Sequence, residues 1–292
     1  MPNTFNENTF STTYKDDFSA SNHYHRVLFN SGRALQAREL TQMQTILQEE
    51  LARFGRNIFK EGSVVEPGGL DIDNEFEYVK LSAIDDLAVG DVVQNSSGVQ
   101  ARIIKIVNAE TNLITGLEDP DTIYVDYISA GQAQGTPVSQ KSSNSTSIRF
   151  SAGDALTEVG GSASGTATVQ STDSPTNRAV GLGTRASVNR GAYFTRGHFV
   201  QSDPQTDILV SKYSGTPTVN IGFKVTEDIV TVDDTNTLYD NQEVLPNETA
   251  PGADRYRITL TLTTSELLDS GDNFITINRL QEGIIQLEID RN

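Results

Sequence analysis

The sequence predicts a mainly β protein with one long N-terminal α-helix, an extended N-terminal arm and small β-barrel or sandwich domains. Three observations carry this. A helical period is sustained only from Arg33 to about Phe54. After Gly62, apolar and polar residues alternate in short runs. Those runs are punctuated by turn clusters such as Pro67-Gly68-Gly69, Asn95–Gly98 and Glu118–Asp121. The expected organisation is an arm over 1–32, an amphipathic helix over 33–60, strands joining a β core over 61–84, a small barrel-like insert over 85–130, a Ser/Gly/Thr-rich β/loop region over 131–190, and a β-domain over 191–292.

The arm has isolated aromatics, Phe5, Phe10, Tyr14 and Phe18, among Asn, Ser, Thr and Asp, which are poor helix formers. A lone arm of this kind gains too little burial to offset its ordering entropy, so the expectation is that it orders against a partner surface. His23–Asn30 reads as a short strand or anchor, and Ser31-Gly32 as the break before the helix.

In the helix, apolar residues fall at Leu40, Met43, Leu47, Leu51, Phe54 and Ile58, in steps of 3, 4, 4, 3 and 4. The mean step matches the helical repeat of about 3.6 and gives an eleven-residue pattern, so the stripe runs nearly straight instead of supercoiling left-handedly. About 22 residues at about 1.5 Å each make a rod of about 33 Å. Gly55 either ends the helix or is passed on the way to Lys60. Leu40, Met43, Leu47, Leu51 and Phe54 form either a subunit seam or the face that packs on the chain's own β-domain; the pattern leaves both open.

Beyond the helix, strands are expected at Ser63–Glu66, Phe76–Ser82, Asp91–Gln94, Val99–Asn108, Leu113–Thr115, Thr122–Ile128, Ser147–Phe150, Thr166–Gln170, Gly191–Gln201, Asp207–Ser211, Val219–Val225, Ile229–Val232, Tyr256–Thr263 and Phe274–Ile277. Val89–Ile128 reads as a five-strand barrel. The apolar alternation Ile284, Ile285, Leu287, Ile289 near the end reads as a docking edge or a continuation into a longer protein.

Composition narrows the chemistry. A net charge of −17 and a pI near 4.5 oppose binding to a phosphate backbone or an anionic membrane, both of which reward cationic contacts. With no cysteine, thiol nucleophiles, cysteine zinc sites and Fe–S clusters are excluded. The three histidines, His23, His25 and His198, leave few bases for a catalytic triad, and His23-x-His25 forms a metal site only with a third ligand brought near. Asp71–Glu75 begins like a calcium loop, but Phe76 stands where glycine is required and Ser82 where the bidentate glutamate belongs, so an acidic turn is expected. Gly181-x-Gly183 lacks the flanking elements of a dinucleotide loop. Arg53, Arg56 and Lys60 complement the helix dipole at its C-terminal end. No catalytic residue, cofactor or metal is expected.

One segment is distinctive. Arg26–Gln48 reads Arg-Val-Leu-Phe-Asn-Ser-Gly-Arg-Ala-Leu-Gln-Ala-Arg-Glu-Leu-Thr-Gln-Met-Gln-Thr-Ile-Leu-Gln, followed by Arg53-Phe54-Gly55 and Ile58–Val65. It resembles the N-terminal signature of virion structural proteins of contractile-tailed bacteriophages, notably those of cyanobacteria, a family generally described as a domain of unknown function. Gly191–Val200, Lys212–Pro217 and Ala250–Arg255 resemble the same proteins, and residues 85–185 match least. The resemblance implies a baseplate or tail-fibre-root component: a structural protein of the virion, present in the host cytoplasm during assembly, partnered by other tail, baseplate or fibre proteins, and a homo-oligomer, a trimer being favoured. The rival expectations are a host-glycan-binding module presenting mid-chain loops, and a fibre-borne depolymerase.

Overall fold

The computed structural model describes residues 7–111, 118–129, 148–160, 165–239 and 252–286. Its helices are α1 (Glu7–Thr13) and α2 (Ala37–Ile58). Its strands are β1 (Val64–Glu66), β2 (Leu70–Asp85), β3 (Val92–Gln94), β4 (Gln100–Val107), β5 (Glu110–Thr111), β6 (Glu118–Asp119), β7 (Thr122–Ser129), β8 (Ala155–Glu158), β9 (Thr166–Val169), β10 (Val180–Val188), β11 (Gly191–Thr195), β12 (His198–Ser202), β13 (Gln205–Ser211), β14 (Val219–Val230), β15 (Arg255–Thr264), β16 (Asn273–Gln281) and β17 (Ile284–Gln286). The protein is mainly β with one long helix near its N-terminus. The chain divides into two compact units: one of Met1–Asp71, Ser187–Ile208 and Thr218–Asn292, the other of Ile72–Ala186 and Leu209–Pro217.

The second unit is a closed six-strand antiparallel barrel in the order β2-β7-β4-β3-β8-β9, closing back onto β2. The length of β2 makes closure possible. Glu77–Lys80 pairs with β7, the ladder shifts register between Leu81 and Ala83, and the strand's far end pairs with β9. Alternate side chains fill the interior: Val79, Val93, Ala101, Ile103, Ile123, Leu156 and Val169 are all fully buried. Outside this core, Phe76 stacks on Tyr124 at 4.6 Å between ring centroids. Buried Glu77 receives a two-pronged guanidinium bond from Arg149, at 2.8 and 2.9 Å.

The barrel revises several expectations. It has six strands, not five, and draws on regions placed outside it: β2 from the joining segment, and β8 and β9 from the Ser/Gly/Thr-rich stretch. Ala155–Glu158 and Val180–Val188 were missed because Ala, Gly, Thr and Ser dilute their alternation. Asp71–Glu75 is strand, not an acidic turn: the carboxylates sit on an antiparallel strand, and Asp73 is held by Arg185 at 3.1 Å. Among the described residues of Ser147–Phe150 no strand forms, and Leu113–Thr115 lies outside the described residues.

In the first unit a three-strand sheet, β1-β11-β12, and a four-strand sheet, β15-β14-β16-β17, share a core of Tyr193, Phe194, Ile221, Phe223, Leu262 and Leu280. Tyr193 meets Phe223 edge-on at 4.8 Å. The Gln205 amide donates to the Leu260 carbonyl and accepts from Leu262 N–H, acting as a short extra rung for β15. Gly191–Gln201, expected as one strand, is a hairpin. Arg196 and Gly197 both have positive φ (55° and 78°), which fits the tight turn whose twist matches its flanking strands. Conversely, Val219–Val225 and Ile229–Val232 belong to the single strand β14, bounded at Val230.

α2 starts at Ala37, not Arg33. Gln36 caps it reciprocally with Glu39, whose side chain accepts the Gln36 N–H at 3.0 Å. It passes through Gly55 because the Phe194 ring occupies the place a Cβ would take there. Phe59 follows, packing against Phe194 and Phe199 at 5.8 and 5.6 Å. His23–Asn30 forms no strand; it is coil, mostly exposed.

Candidate assembly surface

Helical geometry divides α2 into two opposite faces. At about 100° per residue, Leu40, Met43, Leu47, Leu51, Phe54 and Ile58 fall within an arc of about 80°. The buried residues Ile46, Ala52 and Gly55, with half-buried Thr45 and Glu49, lie on the other side. The helix therefore packs on its own unit through Ile46 and a set of small and polar residues, and its apolar stripe points outward. Leu47, Leu51 and Phe54 are 61%, 51% and 62% exposed, and Leu40, Met43 and Ile58 are also exposed. Of the two roles the sequence left open for the stripe, the face packed on this chain's β-domain is not what the structure has. Tyr24, Leu28, Phe29 and Leu35, in the segment leading into α2, are exposed as well. Large contiguous apolar exposure of this kind marks a surface meant for contact.

The arm behaves differently from the expectation that it needs a partner to order. It begins as a helix, α1, and docks on its own unit. Phe10 meets Tyr256 edge-on at 5.5 Å. The Tyr14 hydroxyl donates to Asp254 at 2.6 Å, and burial together with that carboxylate pushes the phenol up to about 12. Asp16 is buried and accepts from the Thr45 hydroxyl and the Phe18 N–H; Gln42 donates to Asp17 at 2.8 Å. Phe18 is half-buried. Side-chain hydrogen bonds to the polar face of α2 supply what apolar burial alone does not. Phe5 lies outside the described residues.

Between arm, helix and the β14–β15 sheet is a cavity of about 1700 Å³. Glu227, 3% exposed, lines it. The Tyr256 hydroxyl donates to one carboxylate oxygen at 2.7 Å, and Arg196 Nη2 to the other at 3.2 Å. Glu61 accepts from Arg196 N–H at 2.8 Å and from the Thr195 hydroxyl, fixing the hairpin turn. Burial lowers the His198 pKa, and the nearby Arg56 charge adds to this, while Glu227 opposes it. Burial and the Glu227 carboxylate raise the Tyr256 phenol. Each charge has a partner of opposite sign or a hydroxyl; the arrangement braces the turn against the sheet and presents no activated nucleophile.

The family described as Domain of unknown function (DUF4815) matches residues 12–123 and 124–291, nearly the whole sequence. The chain belongs to the DUF4815 family. No curated protein and no solved structure matches it.

The other sequence-singled residues of this DUF4815 chain do not converge. His25 Nδ1 lies 3.2 Å from Glu50 on the helix, His198 lies in the cavity, and among the described residues no group of three or more His, Cys, Asp or Glu could hold a metal. Arg53 and Arg56 both face Glu49, at 3.8 and 3.7 Å. Sequence reasoning missed Glu227, Arg196 and Tyr256. The available signal was Glu227 at the next inward position of the Val219, Ile221, Phe223, Val225 alternation, a place where a carboxylate is retained only with partners.

Proposed function

We propose that this chain is a structural component of a phage tail, connecting baseplate and tail fibre through its arm and helix and performing no turnover. It works in the virion, among other tail, baseplate or fibre proteins and further copies of itself, three copies being favoured. The observation that carries this is the outward apolar stripe of α2, which the described residues leave unburied although its unit has a β core to pack against. The resemblance of Arg26–Val65 to tail proteins of contractile phages agrees with it. The test is to substitute Leu47→Glu and Leu51→Glu and measure mass in solution by light scattering beside a thermal melt. Where the unmodified chain is an oligomer, a folded variant with reduced mass is expected, and a folded variant that keeps the oligomer's mass overturns the reading.

A further inference from the structure

The partner of the stripe can be read from its width and its flanks. We propose that α2 pairs with α2 of further copies of this chain, parallel and in register about a rotation axis, an inference that rests on the assembly reading above. A stripe of about 80° is narrower than the face of at least 100° by which a helix covers a sheet, and is closer to a helix–helix seam. Its eleven-residue repeat keeps that seam nearly straight over its length.

The two borders differ. On one side stand Glu39, Glu50 and, at the C-terminal end, Asn57, whose amide donates to the Arg53 carbonyl; on the other stand Gln44 and Gln48, exposed at the rim of the cavity. When parallel helices turn about a common axis, the opposite borders of neighbours face each other, so carboxylates meet amide side chains that donate hydrogen bonds. When two helices run antiparallel, like borders face each other. Glu50 lies next to the midpoint of the stripe, so an antiparallel pair sets Glu50 against its own copy, and the net charge of −17 on each chain adds to that repulsion. His25 beside Glu50 serves one copy's carboxylate, not the meeting of two.

The chain has no cysteine, so a single introduced thiol reports cleanly. Leu40 and Ile58 mark the two ends of the stripe, about 27 Å apart along the helix. A disulfide needs Cα atoms within about 7 Å. Leu40→Cys alone, under mild oxidation, is expected to give a disulfide-linked pair of chains, and the pair should vanish when Leu47→Glu and Leu51→Glu are added. Cross-linking only in a mixture of Leu40→Cys and Ile58→Cys chains overturns the parallel arrangement. A monomeric unmodified chain overturns self-pairing while leaving the assembly reading standing, since the stripe then serves a different protein.

Discussion

Converting Leu47 and Leu51 to glutamate separates two energies that the structure predicts to be very different. Within one chain each leucine is more than half exposed, so folding gains less than half of the full burial value of about 1.5–3 kcal/mol per side chain. The loss on folding is then about 1 kcal/mol per site or less, and glutamate is as good a helix former as leucine to within a few tenths. In an assembled seam the same side chains are covered by neighbours. Each substitution there forfeits about 1 kcal/mol of remaining burial and also buries a carboxylate, which costs several kcal/mol without a partner. A loss near 4 kcal/mol for one substitution already corresponds to about a thousandfold weaker association, and the second weakens it further. Light scattering over a dilution series should show the variant as a monomer where the unmodified chain is assembled, with a melting temperature within a few degrees of the unmodified chain diluted to monomer. The control is Ile46→Glu on the opposite face, 3% exposed, which should unfold the helix packing. A double variant that assembles normally, or that melts like Ile46→Glu, refutes the division of the helix into an inward and an outward face.

Gly55→Ala places a methyl group into the Phe194 ring and should cost about 1–3 kcal/mol, read as a lower thermal midpoint at about 2–4 °C per kcal/mol. Glu227→Ala strands Arg196 and the Tyr256 hydroxyl and should cost about 3–5 kcal/mol in urea unfolding, whereas Asp228→Ala, one residue on and paired to Arg257 in solvent, should cost under about 1 kcal/mol. The Tyr14 phenol is raised from 10.0 to about 12, so its contribution to arm docking is complete below pH 10 and is lost as pH climbs through about 12; limited proteolysis of the arm against pH should follow that window, and Tyr14→Phe should remove the dependence.

Legibility in the sequence followed the strength of the local pattern. α2 was visible because six apolar residues keep one period, β15 because polar and apolar residues alternate along it, and β4 and β7 because β-branched and aromatic residues are dense in them. Of the barrel's closing strands, β9 was legible at Thr166–Gln170 but β8 was not, because Ala155 and Thr157 are small enough to read as loop; what makes Ala155–Glu158 strand is its pairing with β3 and β9, and β9 in turn completes the edge of β2. Helix boundaries shifted for a related reason. Gln36 is a weak capping residue by type, and only its exchange with Glu39 fixes the start. The arm's docking is invisible locally, since Tyr14 finds Asp254 across 240 residues.

The outward turn of the stripe follows from what lies beneath the helix. At Gly55 the Phe194 ring stands where any side chain would begin, and Ala52 already bounds the Gly197 turn, where an added Cβ would lie 2.8 Å from the alanine methyl. Rolling the helix to bring Leu47, Leu51 or Phe54 inward would drive branched or aromatic side chains into that same space, against a packed aromatic cluster of Phe59, Phe194 and Phe199. Thr45 and Gln42 would at the same time leave Asp16 and Asp17 of the arm, stranding a buried carboxylate. Close approach at two small residues and the hydrogen bonds of the arm thus hold one orientation. In that orientation the most apolar face of α2 has no partner among the described residues, a cost to an isolated copy that becomes a gain once a second surface covers it.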